Sequence, residues 1–413
     1  MVSFLGRRIF YGFTVLFGVL TLVFFLFGLV PDPARELAGQ TESEEVIQSI
    51  REKYNLDLSL GKRYVLFIND VSPISWYPLD EDSRRFRSEK EVGGTTVFSS
   101  SSNRLVLKAP YLGRSYLTDR TVTDILFDAL PGTLILALVA MFFAMIVGIS
   151  LGVWSALREG SFIDRSILLL ASVGMSGPSF FMAIVIAWIG GYLLHDSISI
   201  SLWIIVLPLL GFVLQKFFLT RKDNMIFQVS LVLSFVLWIF GGRLGIPTLS
   251  MNLPGTGLSM NGSLFTVDVW EGEKLALQNL ILPAITLGIR PLAVVAQLMR
   301  NSVLEVMRQD FIRTARAKGL SEWRIAMGHV LRNAMNPVLT AASGWLASML
   351  AGAVFVEFVF GWKGLGLEVF RSLEKNDLPV VMGAVMMIAV IFVVINTMVD
   401  LLYGWIDPRV RLN

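Results

Sequence analysis

The chain has 413 residues, 54% of them hydrophobic and only 16% charged, and its mean hydropathy of +0.66 excludes an ordinary soluble domain. No cysteine is present, so there is neither a disulfide framework nor a thiolate metal site, and the two histidines, His195 and His329, are too far apart to suggest a histidine metal cluster. A net charge of only +3 offers no nucleic-acid face.

Arg7-Arg8 precede an unbroken apolar run, Ile9–Val30. The run is longer than a signal-peptide core, lacks a small-residue cleavage site and is followed by Pro31-Asp-Pro. It reads as an uncleaved first span with its N-terminus inside. Residues 31–130 then lie outside. Within them Ser43–Tyr54 reads as a helix capped by Ser43, and Gly61–Val71 as a second amphipathic helix. Ser72–Pro110 is polar, Ser-rich at Ser99–Ser102, and carries a candidate β-hairpin through Thr95–Phe98 and Leu105–Leu107.

The second span, Leu130–Ala156, is led in by Pro131 and is rich in small residues that allow close helix packing in lipid. The third, Ile163–Leu194, is too long for one straight crossing and contains Gly174, Gly177 and Pro178, which predicts a kink. Broken backbone at mid-membrane is tolerated where it is buried in protein or lines a cavity. Ser176 and Pro178 are therefore candidates for a pathway lining, with a packing kink as the other reading. Two further apolar runs, Ile198–Leu219 and Met225–Phe240, are joined by the basic Thr220–Asn224. They predict a membrane hairpin inserted from outside, which preserves the orientation of everything after it. Residues 242–277 are rich in Gly, Pro and Asn and predict an external loop dominated by turns.

Leu280–Asn301 is the next span, with Arg290 about ten residues from each end. A charge that deep costs ~2.5–3.5 kcal/mol on insertion scales, so it must face the bundle or a water-filled cavity. Gln297 lies seven residues on, on the same face. Two readings stand: Arg290 faces a translocation route and meets an anionic group such as a peptide carboxylate, or it pairs structurally with a carboxylate or backbone carbonyls.

Asp310–Pro337 interrupts the apolar pattern with a basic, amphipathic segment. Ile312, Ala315, Gly319 and Leu320 recur at helical spacing, and Gly319 offers a break. Ser321 and Glu322 start a second short helix carrying Trp323, Ile325, Ala326 and Val330. Arg313, Arg316, Lys318, Arg324 and Arg332 place this helix–Gly–helix elbow in the cytoplasm. A loop that only sets topology would satisfy the charges. Small residues at Thr314, Ala315, Ala317 and Gly319 argue instead for a docking element that another surface approaches closely.

The span Val338–Glu357 is dense in small residues and leads to Glu357-Phe-Val-Phe-Gly-Trp-Lys-Gly-Leu-Gly366. The last span, Val380–Ile406, bears Asn396 and Asp400 and ends in Asp407-Pro-Arg-Val-Arg411. A phosphate loop of the Gly-rich, Lys-Ser/Thr kind is missing, so the chain has no nucleotide site of its own. Paired carboxylates, a histidine base and a nucleophile motif are likewise missing, which leaves no catalytic residues and no metal site to name.

Arg313-Thr-Ala-Arg-Ala-Lys-Gly-Leu320, followed by an amphipathic helix and Asn333-Ala-x-x-Pro337, resembles the coupling motif of binding-protein-dependent ABC importer permeases. More narrowly it resembles the dipeptide/oligopeptide/nickel family and its B-type permeases. In the wider family the motif reads Glu-Ala-Ala, three residues, Gly. The matching positions here are Arg313, Thr314, Ala315 and Gly319, and Arg-Thr-Ala is the form expected of the peptide branch. The arginine pair with its apolar run, Leu112-Gly-Arg-Ser115, Gly364-Leu-Gly366 and the C-terminal Asp-Pro-Arg-x-Arg are similar to the family pattern too, with Lys363 in place of a usual Pro. Residues 72–110 and 196–241 look like insertions.

The resemblance implies an all-α, polytopic helical bundle in the inner membrane with both termini cytoplasmic. It would have six core spans, the extra hairpin at 196–241 and the external insertion at 72–110. By segment, 1–30 is the first helix, 31–130 external, 131–195 core spans, 242–277 external, 278–406 core spans including the coupling segment 305–337, and 407–413 a cytoplasmic tail. Arg313, Thr314, Ala315, Arg316, Ala317, Lys318, Gly319 and Leu320 would couple to an ATPase, and Glu357, Gly364 and Gly366 would belong to an outer gate. The implied partners are a second, related permease, two ATP-binding subunits, an extracytoplasmic substrate-binding protein and the lipid bilayer, with no nucleic acid. No cofactor is expected in this chain, ATP and Mg being held by the ATPase chains. The chain would be a translocation subunit rather than an enzyme, working by alternating access as ATP favours one helix arrangement over the other. Di- and oligopeptides are the expected cargo, ahead of nickel chelates, glutathione-like molecules and oligosaccharides. The alternatives are an ion-coupled secondary transporter, against which no inverted repeat is found, or a membrane assembly protein without transport, which would leave the coupling elbow unexplained.

Overall fold

A computed structural model describes residues 2–28, 33–38, 43–80, 83, 93–196, 198–201, 207–211, 229–234, 236, 250–253, 256–268 and 272–406. Among these, four helices are long and apolar enough to cross a membrane, or six if each of two bent pairs is one span. The first is α1 (Val2–Gly28). Its C-terminal end packs on a pair of helices, α2 (Glu44–Lys53) and α3 (Leu60–Val71), through Phe24 against Tyr64 and Phe67 and through a 2.8 Å hydrogen bond between the hydroxyls of Thr21 and Tyr64. Ser43 stands at the start of α2, but its hydroxyl caps nothing. The acidic Glu44 and Glu45 in the first turn complement the helix dipole instead.

The predicted insertion contains a three-stranded antiparallel sheet in the order β1 (Ile74–Pro78), β3 (Asn103–Leu107), β2 (Thr95–Ser99). The predicted hairpin is β2–β3, and β1 adds to its other side in the register Trp76↔Leu105. Ser75 and Tyr77 point inward from β1, and Tyr77, Val106 and Tyr111 form a small core.

The second span is α4 (Val122–Leu157), capped by Thr121, whose side chain accepts from Asp124 N. It starts eight residues before the predicted Leu130 and carries Pro131 in its interior, because the outer turns bury Val122, Leu126 and Ala129 against the C-terminal helices. Its main partner is α7 (Gln278–Met307). The two backbones come close enough that a Cβ on Gly148 would lie 2.9 Å from the Leu292 carbonyl and one on Gly152 2.6 Å from that of Ala296.

Between them the chain breaks more sharply than a kink. Helix α5 (Phe162–Ser176) and helix α6 (Ser179–Trp188, continued by a π-turn to Leu193) meet at 113°, so this segment is a broken or re-entrant element and not a gently bent crossing. The cause is local: Gly177 leaves the helical region and Pro178 supplies no N–H to continue the ladder.

The predicted membrane hairpin lies largely outside the described residues. Its first four residues are β4 (Ile198–Ser201), a strand paired with β5 (Ser250–Leu253), so the apolar run does not start as a helix at Ile198. Helical pieces are described only at 207–211 and 229–234. The external loop 242–277 is less turn-dominated than expected, since it adds the hairpin β6 (Phe265–Asp268) and β7 (Gly272–Leu275) to β5.

After α7 come the short helix α8 (Asp310–Ala317), α9 (Glu322–Ile325), a π-turn (Ala326–Val330), α10 (Leu331–Phe360), α11 (Leu365–Glu374) and α12 (Leu378–Ile406). The predicted second short helix is thus not separate. It runs through the π-turn into the next span, which bends by 54° between Leu350 and Ala353. Pro31-Asp32, the side chain of Asp400 and the Asp407–Arg411 terminus lie outside the described residues.

Candidate functional site

The end of the bundle where α4 stops and α5 starts is organised by one carboxylate. Asp164, in the first turn of α5 and 2% exposed, accepts from Arg300 Nε at 2.6 Å and Nη2 at 2.8 Å, from the Ser155 hydroxyl and from Gly160 N at 2.9 Å. The inner ends of α4, α5 and α7 therefore share one hydrogen-bonded knot. Below it, Ile312 and Ala315 of α8 pack with Val303, Val306, Ile325, Val330, Ala334 and Val338.

That packing divides the predicted coupling residues. Ala315 is buried in its own bundle, where its small size helps to seat α8. Arg313, Thr314, Arg316, Ala317, Lys318 and Gly319 are exposed, with Leu320 half-buried and Phe311 exposed beside them. Gly319 adopts φ +77°, the left-handed conformation that ends α8, and its N–H returns to the Arg316 carbonyl at 2.9 Å. Arg324, His329 and Arg332 extend the exposed basic face.

Of the predicted pathway residues, the structure joins Arg290 to the backbone break. Arg290 is exposed and lines a cavity of about 180 Å³ together with Gly177, Ser179, Thr286, Trp345 and Ser348. Ser176 and Pro178 flank those lining residues; Ser176 is exposed and its hydroxyl bonds the Ser172 carbonyl of its own helix. Gln297, half-buried two turns further in, does not reach this cavity.

The predicted outer-gate residues form a compact elbow. Glu357 is fully buried, accepts from the Thr133 hydroxyl at 2.7 Å and from Leu367 N at 3.1 Å, and so holds the start of α11 against α4 and α10. Thr133 in turn accepts from Leu365 N at 2.8 Å, and Trp362 Nε1 donates to the Gly132 carbonyl at 2.9 Å. Both glycines are required by contact: a Cβ on Gly364 would lie 2.5 Å from Glu357 Oε2, and one on Gly366 2.5 Å from Val354 Cα. The turn closes with exposed Lys363 where the family pattern has Pro, because Gly361 at φ +61° reverses the chain after α10. On the outer surface Asp377 accepts from the Ser115 hydroxyl at 2.5 Å and from Tyr116 N at 3.0 Å, fastening the Leu-Gly-Arg-Ser stretch to the loop before α12.

Asp164, Ser155, Arg300, Thr133, Trp362 and Asp377 were not singled out by sequence reasoning. Only Asp164 carried a usable local signal, since Ser161-x-x-Asp164 is a capping box.

The family model for the inner membrane component of binding-protein-dependent transport systems matches residues 148–412. The chain belongs to that family. The N-terminal model of the same membrane component matches residues 1–75. Full-length relatives of this membrane component include the di/tripeptide transport system permease protein DppB of Pseudomonas aeruginosa, 30% identical over 100% of this chain and 99% of that one. The probable D,D-dipeptide transport system permease protein DdpB of Escherichia coli is 32% identical over 96% of this chain and 94% of its own. The dipeptide transport system permease protein DppB of Escherichia coli is 37% identical over 68% of this chain and 70% of its own. As an inner membrane transport component, the chain has its long apolar helices in the bilayer and works with a binding protein.

Proposed function

We propose that this chain is one of two permease subunits in an ATP-driven importer of di- or oligopeptides, receiving its drive through residues 310–337. The observation that carries the coupling assignment is the exposed basic face of α8 and Gly319, seated on the bundle by Ile312 and Ala315 and followed by α9, which runs through the π-turn into the span α10. The printed names of the relatives support the peptide cargo. A second, related permease, two ATP-binding subunits and an extracytoplasmic binding protein complete the assembly. Both termini face the cytoplasm, this chain binds no cofactor, and ATP hydrolysis with its Mg belongs to the ATPase chains. The exposed Arg313, Arg316 and Lys318 meet the ATPase. Arg290, with the break at Ser176–Pro178 and Gln297, borders the route, and Glu357, Gly364 and Gly366 brace its outer closure. Residues 196–241 add a hairpin at the lipid-facing periphery.

Co-purification of the ATP-binding subunits tests the coupling surface. A Cβ on Gly319 would meet nothing within 4 Å, so a side chain there starts out into open space. Gly319→Ala and Gly319→Trp share the left-handed backbone cost of about 1–2 kcal/mol. Only the bulk differs. Gly319→Ala is expected to retain the ATPase subunits and Gly319→Trp to lose them; equal retention by both variants would overturn the assignment.

A further inference from the structure

We infer that Arg290 is the recognition group for a carboxylate on the solute that passes through this chain. The inference rests on the importer reading above and names what its cavity selects.

Arg290 is the thirteenth residue of the 30-residue α7, about 18 Å along the helix from its outer end. At that depth a guanidinium is retained against a cost of ~2.5–3.5 kcal/mol. The other charges set deep in the bundle have internal partners: Asp164 and Arg300 hold each other, and Glu357 is held by Thr133 and Leu367 N. Among the described residues Arg290 has neither an ion pair nor a hydrogen bond through its side chain, and no carboxylate lines its cavity. Its charge is therefore left open toward whatever enters.

The surroundings leave room for water beside that charge. The chain breaks at Gly177–Pro178 beside it, and irregular backbone at membrane depth survives where it borders protein or a water-filled cavity. Thr286, Ser179 and Ser348 add small polar groups around the guanidinium. The remaining wall is adaptable: Met182, Met349 and Leu287 are flexible apolar side chains that tolerate different shapes. A fixed planar cation next to a yielding wall suits solutes that share one carboxylate and vary elsewhere. Guanidinium and carboxylate match through two parallel hydrogen bonds, a geometry that a lysine cannot reproduce.

The experiment uses the assembled importer in proteoliposomes with its binding protein and ATP. It compares uptake of a dipeptide with a free C-terminus against the same dipeptide as its C-terminal amide. Because the binding protein does its own selecting, the readout is the change in the acid-to-amide ratio of kcat/KM between the unaltered chain and Arg290→Gln. The ratio is expected to fall about tenfold, the size of one charge-assisted hydrogen bond, the acid losing more uptake than the amide. Arg290→Lys should fall between the two. An equal loss for both peptides would mean a structural cation. Dissociation of the second permease from Arg290→Gln would mean that its partner is a carboxylate of that subunit. Either result overturns the inference while leaving the importer reading in place. Uptake by the unaltered complex that ignores ATP would remove the importer reading itself.

Discussion

Asp164 and Arg300 lie 136 positions apart in sequence and are joined by two parallel hydrogen bonds of 2.6 and 2.8 Å. The pair ties the loop between α4 and α5 to α7 about two helical turns before that helix ends at Met307. Ser155 and Gly160 satisfy the rest of the carboxylate, so the ion pair is geometrically complete and shielded.

Removing one partner strands the other. Asp164→Asn is expected to destabilise the purified protein by about 3 kcal/mol, the usual scale for breaking a buried ion pair. Arg300→Gln should cost a similar amount. The Asp164→Asn/Arg300→Gln double variant should recover much of that sum, because no unpaired charge remains. Thermal unfolding in detergent gives the cycle, and strictly additive losses would show that the pair does not act as a unit.

The outer elbow predicts a different sensitivity. A Cβ on Gly132 would overlap the Lys363 carbonyl, so Gly132→Ala must displace the turn between α10 and α11. Overpacking of this kind costs about 1–3 kcal/mol. Glu357→Gln keeps the shape: its oxygen can accept from Leu367 N and its amide donate to the Thr133 hydroxyl, so the carboxylate's hydrogen bonds become neutral ones at a cost of about 1 kcal/mol. Limited proteolysis of the Gly361–Gly366 turn should report both variants as more readily cut. Unchanged cutting would dismiss the elbow as a braced element.

Lys108 ties the external sheet to α3 by donating to the carbonyls of Asp70 and Ser72. Burial lowers its amine from 10.5 to about 8, with the charge of Asp70 pulling the other way. The unfolded chain thus keeps a proton between about pH 8 and 10.5 that the folded chain gives up, and stability from this group rises with pH across that window. A neutral amine still has two N–H groups for the two carbonyls. Thermal unfolding from pH 7 to 10.5, referred to Lys108→Met, should show the unaltered protein gaining; a loss over the same window would contradict the sign.

Long apolar runs made the core spans legible, because nothing else in a sequence imitates some twenty apolar residues. Gly177-Pro178 marked a break but not its 113° angle, which depends on what α5 and α6 each pack against. Strands β4 and β5 pair across some fifty residues of chain, and four-residue segments carry too little periodicity to announce such a partner. Ala315 was recognisable as a motif residue, yet its direction was not: the same small side chain suits a neighbour in this chain or in another, and only the packing of Ile312 and Val330 decides. Arg290 stood out because a lone charge in an apolar run is conspicuous. Asp164 and Arg300 did not, since Asp164 sits in a first helical turn and Arg300 where the apolar run ends, and charges are commonplace at both.

The π-turn at Ala326–Val330 gives the basic elbow no slack. Ala326–Leu350 runs as one rod of about 38 Å, and Trp345 and Ser348 on its far half form part of the wall facing Arg290. Rocked about its middle, such a rod swings its two ends by equal distances in opposite directions. A nudge of about 2 Å at the basic end, ordinary for a helix shift, would reappear at Trp345 and Ser348 as an opposite movement of roughly 1–2 Å in the wall of the solute's compartment.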